Sequence, residues 1–209
     1  MKVVMKIGGS LMDSAPDILK KVSEFTETEK NISILIVPGG GVFADTIRSK
    51  TAQYGIGDEA AHWMAILAME QYAYYLIDKT GATGIETIEC LPSGFSILLP
   101  YRLLKTTDEL PHSWDVTSDT IAAWVAKRLN ARFVKVTDVD GIFIDGNLVV
   151  EVSAQELEKM ETSCTDTEFP KFMKANSMDC VIVNGHYPDR VVAAVRCQSV
   201  TGTYMKGNI

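Results

Sequence analysis

The chain begins MKVVMKIGGSL (residues 1–11), and the join between its apolar run and its two glycines decides how the rest is read. VVMKI (3–7) has the apolar, partly β-branched character of a buried strand, and its lysine stands just before Gly8 and Gly9. One permissive residue is enough for a turn. Two glycines beside a fixed cation suit a backbone approached closely by something anionic. An ordinary strand-to-helix turn with a snorkelling surface lysine is the competing reading, and so short a motif does not separate the two. What separates them is whether other strands end the same way.

Four further runs read as strands: ISILIVP (32–38), FSILLP (95–100), ARFVKVT (131–137) and CVIVN (180–184). Several are apolar on both faces, which suits strands of a parallel sheet covered on each side by helices. Helical patterns lie between them. One covers 15–30, opened by Ser14 and Pro16; the longest covers 57–79, where AHWMAILAMEQYAYYLI reads as mostly buried; two more cover 119–130 and 188–196. Strands alternating with helices predict an α/β sandwich with right-handed crossovers. No repeat, low-complexity run or proline-rich linker divides the 209 residues, so one domain over 1–209 is expected.

Ligands of such sheets usually sit outside the carboxyl ends of the strands. The second strand runs into PGGG (38–41), after which VFADTIRSK begins a helix. Three glycines there expose amides at the positive end of a helix dipole, a site for phosphate or carboxylate. ARFVKVT leads into TDVDGIF (137–143) and the hairpin-like IDGNLVV, and the fifth strand ends in VNG (183–185) before HYPDR. Tight packing or a DG turn accounts for any one of these. Four glycine-rich strand ends together are stronger evidence of a ligand than any one alone. GxxxxGKS/T is absent, and so is GxGxxG at the first turn, which argues against a Walker loop and a dinucleotide fold.

Composition narrows the function classes. A net charge of −7 argues against a general nucleic-acid binder, although a few lysines and glycine amides still bind a small anion in an acidic protein. No segment approaches the roughly 20 apolar residues that span a bilayer. MKVVMKIGGS turns polar too soon for a signal peptide, so a cytoplasmic location without membrane contact is expected. Cys90, Cys164, Cys180 and Cys197 form no CxxC pair, and His62, His112 and His186 form no HxxxH pattern. Nothing asks for a protein-bound metal.

KIGGSL, VPGGGVFAD, DVTSDTIAAWVAKRLNA, VKVTDVDGIF and VIVNG, in that order across nearly the whole chain, resemble the motifs of the amino acid kinase family. The resemblance implies a three-layer αβα sandwich around a largely parallel sheet. It implies phosphoryl transfer from ATP to a carboxylate or phosphate, with Mg2+ riding on the ATP phosphates. Lys6 then holds the transferring phosphoryl, while Gly8, Gly9 and Ser10 contact the ATP phosphates. Thr137, Asp138, Asp140 and Gly141 form the nucleotide-side loop, and Gly39, Gly40 and Gly41 hold the acceptor. Asp119 is implied as the carboxylate that orients the lysines, with a simple helix cap as its plainer role. The family's second lysine usually follows a TGGM-like segment. This chain has CTDTEFPKFMKANSMD instead, which leaves Lys171 as the candidate and Lys174 behind it, each equally readable as a solvated helix lysine.

Within the family, the compact length, GGGVFADTIR, DEAAHWMAILAMEQYAYYL and FPKF…VNGHYPDR look most like the small archaeal kinases of methanofuran biosynthesis. Their acceptor is (5-(aminomethyl)furan-3-yl)methyl phosphate. That implies a phosphate at the PGGG amides, with Arg48 adding a contact, and a carboxylate such as Asp45 or Asp58 for the aminomethyl group. A furan ring welcomes an apolar wall, for which His62, Trp63 and Met64 are candidates, although an AHWMAIL run is more often core or subunit interface. Another small phosphate or carboxylate (isopentenyl phosphate, UMP, an amino acid) stays open as acceptor. So does a noncatalytic nucleotide- or oxyanion-binding role on the same fold. The resemblance further implies a homo-oligomer, dimer or higher.

Overall fold

The structure is a computed structural model that describes residues 1–160 and 164–207. Strand β1 (Lys2–Ile7) passes through a short 3-10 turn (Gly9–Leu11) into helix α1 (Ala15–Thr28). Strand β2 (Ser33–Pro38) precedes α2 (Gly41–Tyr54) and α3 (Asp58–Thr80), and β3 (Thr83–Ile85) and β4 (Gly94–Leu98) precede α4 (Pro100–Thr107) and α5 (Ser118–Leu129). Next come β5 (Arg132–Thr137) and a hairpin of β6 (Phe143–Ile144) and β7 (Asn147–Leu148). Strand β8 (Glu151–Ser153) leads to α6 (Ala154–Leu157) and α7 (Phe169–Ala175), and β9 (Cys180–Asn184) to α8 (Pro188–Val195) and β10 (Gly202–Lys206).

Eight strands form one sheet in the order β3-β4-β2-β1-β5-β9-β10-β8, parallel throughout except between β9 and β10. Side-chain alternation divides the central strands between two cores. Val3, Met5, Ile7, Ile34 and Ile36 pack with Ile18, Leu19 and Val22 of α1 and Val191 and Val195 of α8. Val4, Leu35, Val37 and Phe133 turn to the other face and pack with Ile121, Ala122 and Val125 of α5. Helices on both faces of a mainly parallel sheet make the predicted αβα sandwich. Each fully buried aliphatic side chain contributes roughly 1.5–3 kcal/mol, and that burial holds the sheet between its helices.

The all-round apolar pattern of α3 now has a cause. Trp63, Ile66 and Met69 belong to the core beneath α5, whereas Tyr72, Ala73 and Leu76 belong to the core beneath α1. One helix serves two cores and so needs apolar residues on more than one side.

The predicted strands and helices all form, with ends that move by one or two residues. FSILLP is the instructive case. Its proline opens α4 at the first turn, where a fixed φ and a missing N–H cost nothing, so β4 stops at Leu98. Strands β3, β8 and β10 and helices α4 and α6 were not anticipated. The first two strands are three residues long, too short for any periodicity to register.

Candidate active site

The carboxyl ends of β1 and β2 carry two turns that interlock. A Cβ on Gly9 would lie 2.2 Å from the Gly41 nitrogen, and Gly41 itself has a φ of +54°. Backbone touches backbone here, and no side chain fits between. The glycines therefore serve close packing as well as openness. Their amides divide accordingly. Gly8 N–H donates to the Val136 carbonyl at 2.9 Å and Gly39 N–H to the Ile7 carbonyl at 2.8 Å, so both are spent inside the sheet. Gly9 and Gly41 begin the 3-10 turn and α2, where helical bonding leaves the first N–H groups without partners.

Beneath these turns lies a buried charge cluster. Alternation puts Lys6 on the same face as Val4, toward α5, and β1 pairs with β5 so that Lys6 stands opposite Lys135. Asp119, in the first turn of α5, sits between them. Lys6 Nζ is 2.9 Å from Asp119 Oδ1, and Lys135 Nζ donates to the same oxygen. The residues are 7%, 1% and 5% exposed for Lys6, Lys135 and Asp119. Burial pushes the Asp119 carboxyl up, but Lys135 and then Lys6 outweigh it and hold it at about 2. Burial draws Lys6 below the ordinary lysine range, and the Lys135 charge adds to that against the pull of Asp119. Burial also draws on Lys135, where Asp119 prevails and raises it. With both lysines protonated, two ammoniums and one carboxylate leave one net positive charge beside the Gly8–Gly9 turn.

Asp119 is not the cap of its helix. That task falls to Asp166, which accepts from Thr117 N–H at 2.9 Å, Thr120 N–H at 3.1 Å and the hydroxyls of Thr117 and Thr120 at 2.8 and 2.6 Å. A carboxylate at a helix N-terminus satisfies unpaired donors and suits the dipole. Asp166 N–H in turn points at Asp119 Oδ2, 3.3 Å away, so the cap also steadies the carboxylate between the lysines.

A cavity of about 500 Å³ opens against the interlocked turns. Gly9, Ser10, Gly40 and Gly41 line one side, and Ile66, Met69, Val116 and Ile121 provide apolar lining. Asp13, Asp45, Arg48, Asp58, His62 and Trp114 also line it. Arg48 is 3.1 Å from Asp45 and lies 4.8 Å over the Trp114 ring. Of the three wall candidates on α3, only His62 lines this cavity. Trp63 is buried in the core, its indole N–H donating to Glu59 at 2.8 Å, and Met64 is not part of the lining. His62 stacks on His112 at 4.3 Å; burial and then the His112 charge push it down to about 4, so it is neutral at pH 7.

The nucleotide-side candidates cluster one strand away, at the end of β5. The Thr137 hydroxyl donates to Asp138 at 3.2 Å, and the Thr137 carbonyl accepts from Gly185 N–H at 2.7 Å. Asp140 accepts from Asn184 at 3.0 Å and Arg190 at 2.9 Å, tying its loop to β9 and α8. A Cβ on Gly141 would meet Thr203 Oγ1 at 2.4 Å. None of these four lines the large cavity.

Lys171 is not brought to Lys6 and Asp119. It pairs with Glu168 at 3.0 Å on α7, and Lys174 pairs with Glu158 at 2.9 Å, each lysine about half exposed. The second ammonium at Asp119 belongs to Lys135 instead, which corrects the expectation for Lys171. A signal for it existed. Lys135 sits two residues before Thr137 as Lys6 sits two before Gly8, inside a strand otherwise apolar on both faces.

The model of the amino acid kinase family matches residues 1–184 of this chain. The (5-(aminomethyl)furan-3-yl)methyl phosphate kinase of Methanocaldococcus jannaschii is 33% identical over 198 residues, covering 90% of each chain. A uridylate kinase of Thermofilum pendens is 24% identical over 97% of each. Among solved structures, the uridylate kinase from Archaeoglobus fulgidus matches with a TM-score of 0.72 at 18% identity, over 98% of this chain and 100% of that one. That last likeness concerns the fold alone.

Proposed function

The chain belongs to the amino acid kinase family and is a phosphotransferase, and we propose that it carries the γ-phosphoryl group of ATP to a small phosphate ester. The ester we assign is (5-(aminomethyl)furan-3-yl)methyl phosphate, and the product is its diphosphate. The observation that carries the proposal is the net-positive Lys6–Asp119–Lys135 cluster behind glycine turns that border a half-apolar cavity.

In this reading an oxygen of the acceptor phosphate forms a bond to the γ-phosphorus as the bond to the bridging oxygen breaks, and ADP leaves. The acceptor is already an oxyanion, so no base is needed. Catalysis then rests on positioning and on positive charge around the moving group. Lys6 faces that group. The free amides of Gly9, Gly40 and Gly41, with Ser10, hold phosphate oxygens, and the Thr137, Asp138, Asp140 and Gly141 loop borders the nucleotide. Arg48 adds a contact to the acceptor phosphate. Asp58, which enters no ion pair among the described residues, supplies a carboxylate for the aminomethyl group. His62, Ile66 and Trp114 give the furan its wall.

Magnesium bound through nucleotide phosphates keeps several waters and takes few protein carboxylates. Among the described residues no group of three or more His, Cys, Asp or Glu is gathered to hold a metal. Assembly into a homo-oligomer belongs to the same proposal, since α3 leaves Leu67 and Tyr74 41% and 57% exposed.

The test is a mass-spectrometric assay of the purified protein with MgATP and the furan ester, beside isopentenyl phosphate and UMP. Diphosphate from the furan ester alone is the expected result. Turnover of another acceptor discards the substrate; ADP from none of them discards the kinase.

A further inference from the structure

We propose that Lys135 is a positioning residue for phosphoryl transfer: by sharing the Asp119 carboxylate, it leaves the charge of Lys6 available to the moving group. The inference rests on the kinase reading above and goes beyond it, because Lys135 reaches neither the cavity nor the surface.

The argument begins with what Lys135 is not needed for. Its strand, RFVKVT, is buried from its second residue onward, and an aliphatic side chain at that position packs without the cost of desolvating an ammonium. Nor does Asp119 need it for neutrality, since Lys6 alone balances one carboxylate. A Lys6–Asp119 pair by itself is neutral, and its cation is largely spent on its partner. With Lys135 present, the same carboxylate oxygen is divided between two ammoniums and the cluster carries one unmatched positive charge.

That charge faces in a defined direction. The other carboxylate oxygen is taken by Asp166 N–H, so Asp119 cannot swing away to serve one lysine only. Lys135 is 1% exposed, on a strand flanked by β1 and β9, and is closed off from solvent. Lys6 Nζ lies 3.8 Å from where a Gly8 side chain would begin, beside the turn whose neighbouring amides are free. An arriving phosphoryl group is therefore the anion that completes the cluster. It meets the charge through Lys6, while Lys135 holds Asp119 from behind.

The experiment compares the full chain with Lys135→Met, Lys6→Met and the double variant, with MgATP and whichever acceptor the wild-type protein turns over. Lys135→Met is expected to lower kcat by ~10²-fold, with the acceptor KM changed less than about threefold. Its Tm should hold or rise, because a buried charge is gone; a merely structural lysine would move Tm and leave kcat. The double variant should be no slower than Lys6→Met, since Lys135 acts through Lys6. A kcat within about threefold of wild type overturns the proposal. So does a double variant far slower than Lys6→Met. Should the Met variant fail to fold, Lys135→Gln is read the same way, and failure of both makes the lysine structural. No turnover by the wild-type protein overturns the kinase reading and this one with it; an active variant beside an active wild type overturns this one alone.

Discussion

Lys6 and Lys171 stand at nearly the same distance from a carboxylate, 2.9 Å from Asp119 and 3.0 Å from Glu168. They differ in what surrounds them. The side chains of the first pair are 8% and 7% exposed, those of the second 45% and 32%. Near water the second pair exchanges one set of good interactions for another and contributes little. In the interior, the loss of Asp119 strands two ammoniums that water cannot reach. Separation alone does not rank ion pairs; the medium between and around them does.

The sharpest way to break this contrast is at Asp119. Asp119→Asn leaves two ammoniums buried together and is expected to cost ~3–5 kcal/mol of stability along with nearly all turnover, read by denaturant unfolding and by ADP release. The same carboxyl gives a pH signature. Its folded value of about 2 lies below the ordinary 3.8, so its contribution is fully present above about pH 4 and is lost as pH falls through about 2. Acid unfolding of the wild-type protein should therefore be steeper in that window than that of Asp119→Asn.

Next in size is Lys6→Ala, expected to leave a folded protein and to lower kcat by ~10²–10³-fold. Near-normal turnover would remove Lys6 from the reaction. Asp166→Ala takes the cap from α5 and should cost ~1–3 kcal/mol in unfolding free energy, with a smaller loss of kcat through a loosened Asp119. At the bottom of the series, Lys171→Ala should leave Tm in place and change kcat by less than about threefold. A large loss there would bring α7 into the reaction and undo the contrast.

How much of this was legible in the sequence follows the same division between local and distant. The five main strands and the glycine turns at their ends announce themselves within a dozen residues, because strand period and turn chemistry are local. So do Lys6 and Asp119, each embedded in a recognisable motif. Lys135 is signalled only weakly, by one lysine in the otherwise apolar run of ARFVKVT, and its partner appears only when the sheet sets β5 beside β1. Asp166 was beyond reach. It caps a helix that begins 48 residues earlier, at Ser118, and nothing in CTDTEFP encodes that meeting. Lys171 is a candidate only through its place after a missing motif, and place in the chain says nothing of burial. Trp63 and Met64 failed as wall residues for a related reason, since α3 turns different sides to different neighbours along its length.

The contact between Gly9 and Gly41 bears on how such a molecule can change over time. With backbone against backbone at that point, no point substitution adjusts the gap between the two turns without forcing them apart. The walls of the cavity are under no such restraint, since Arg48, His62 and Trp114 hang from α2, α3 and the 108–117 loop, and a new side chain there meets other side chains and the cavity, not the backbone of a strand. Variation is thereby channelled: the reach across the reaction centre is inherited as a fixed length, and novelty enters through the lining. A lineage that acquires a new acceptor is expected to do so by changes around the cavity, one at a time, with both glycines left in place.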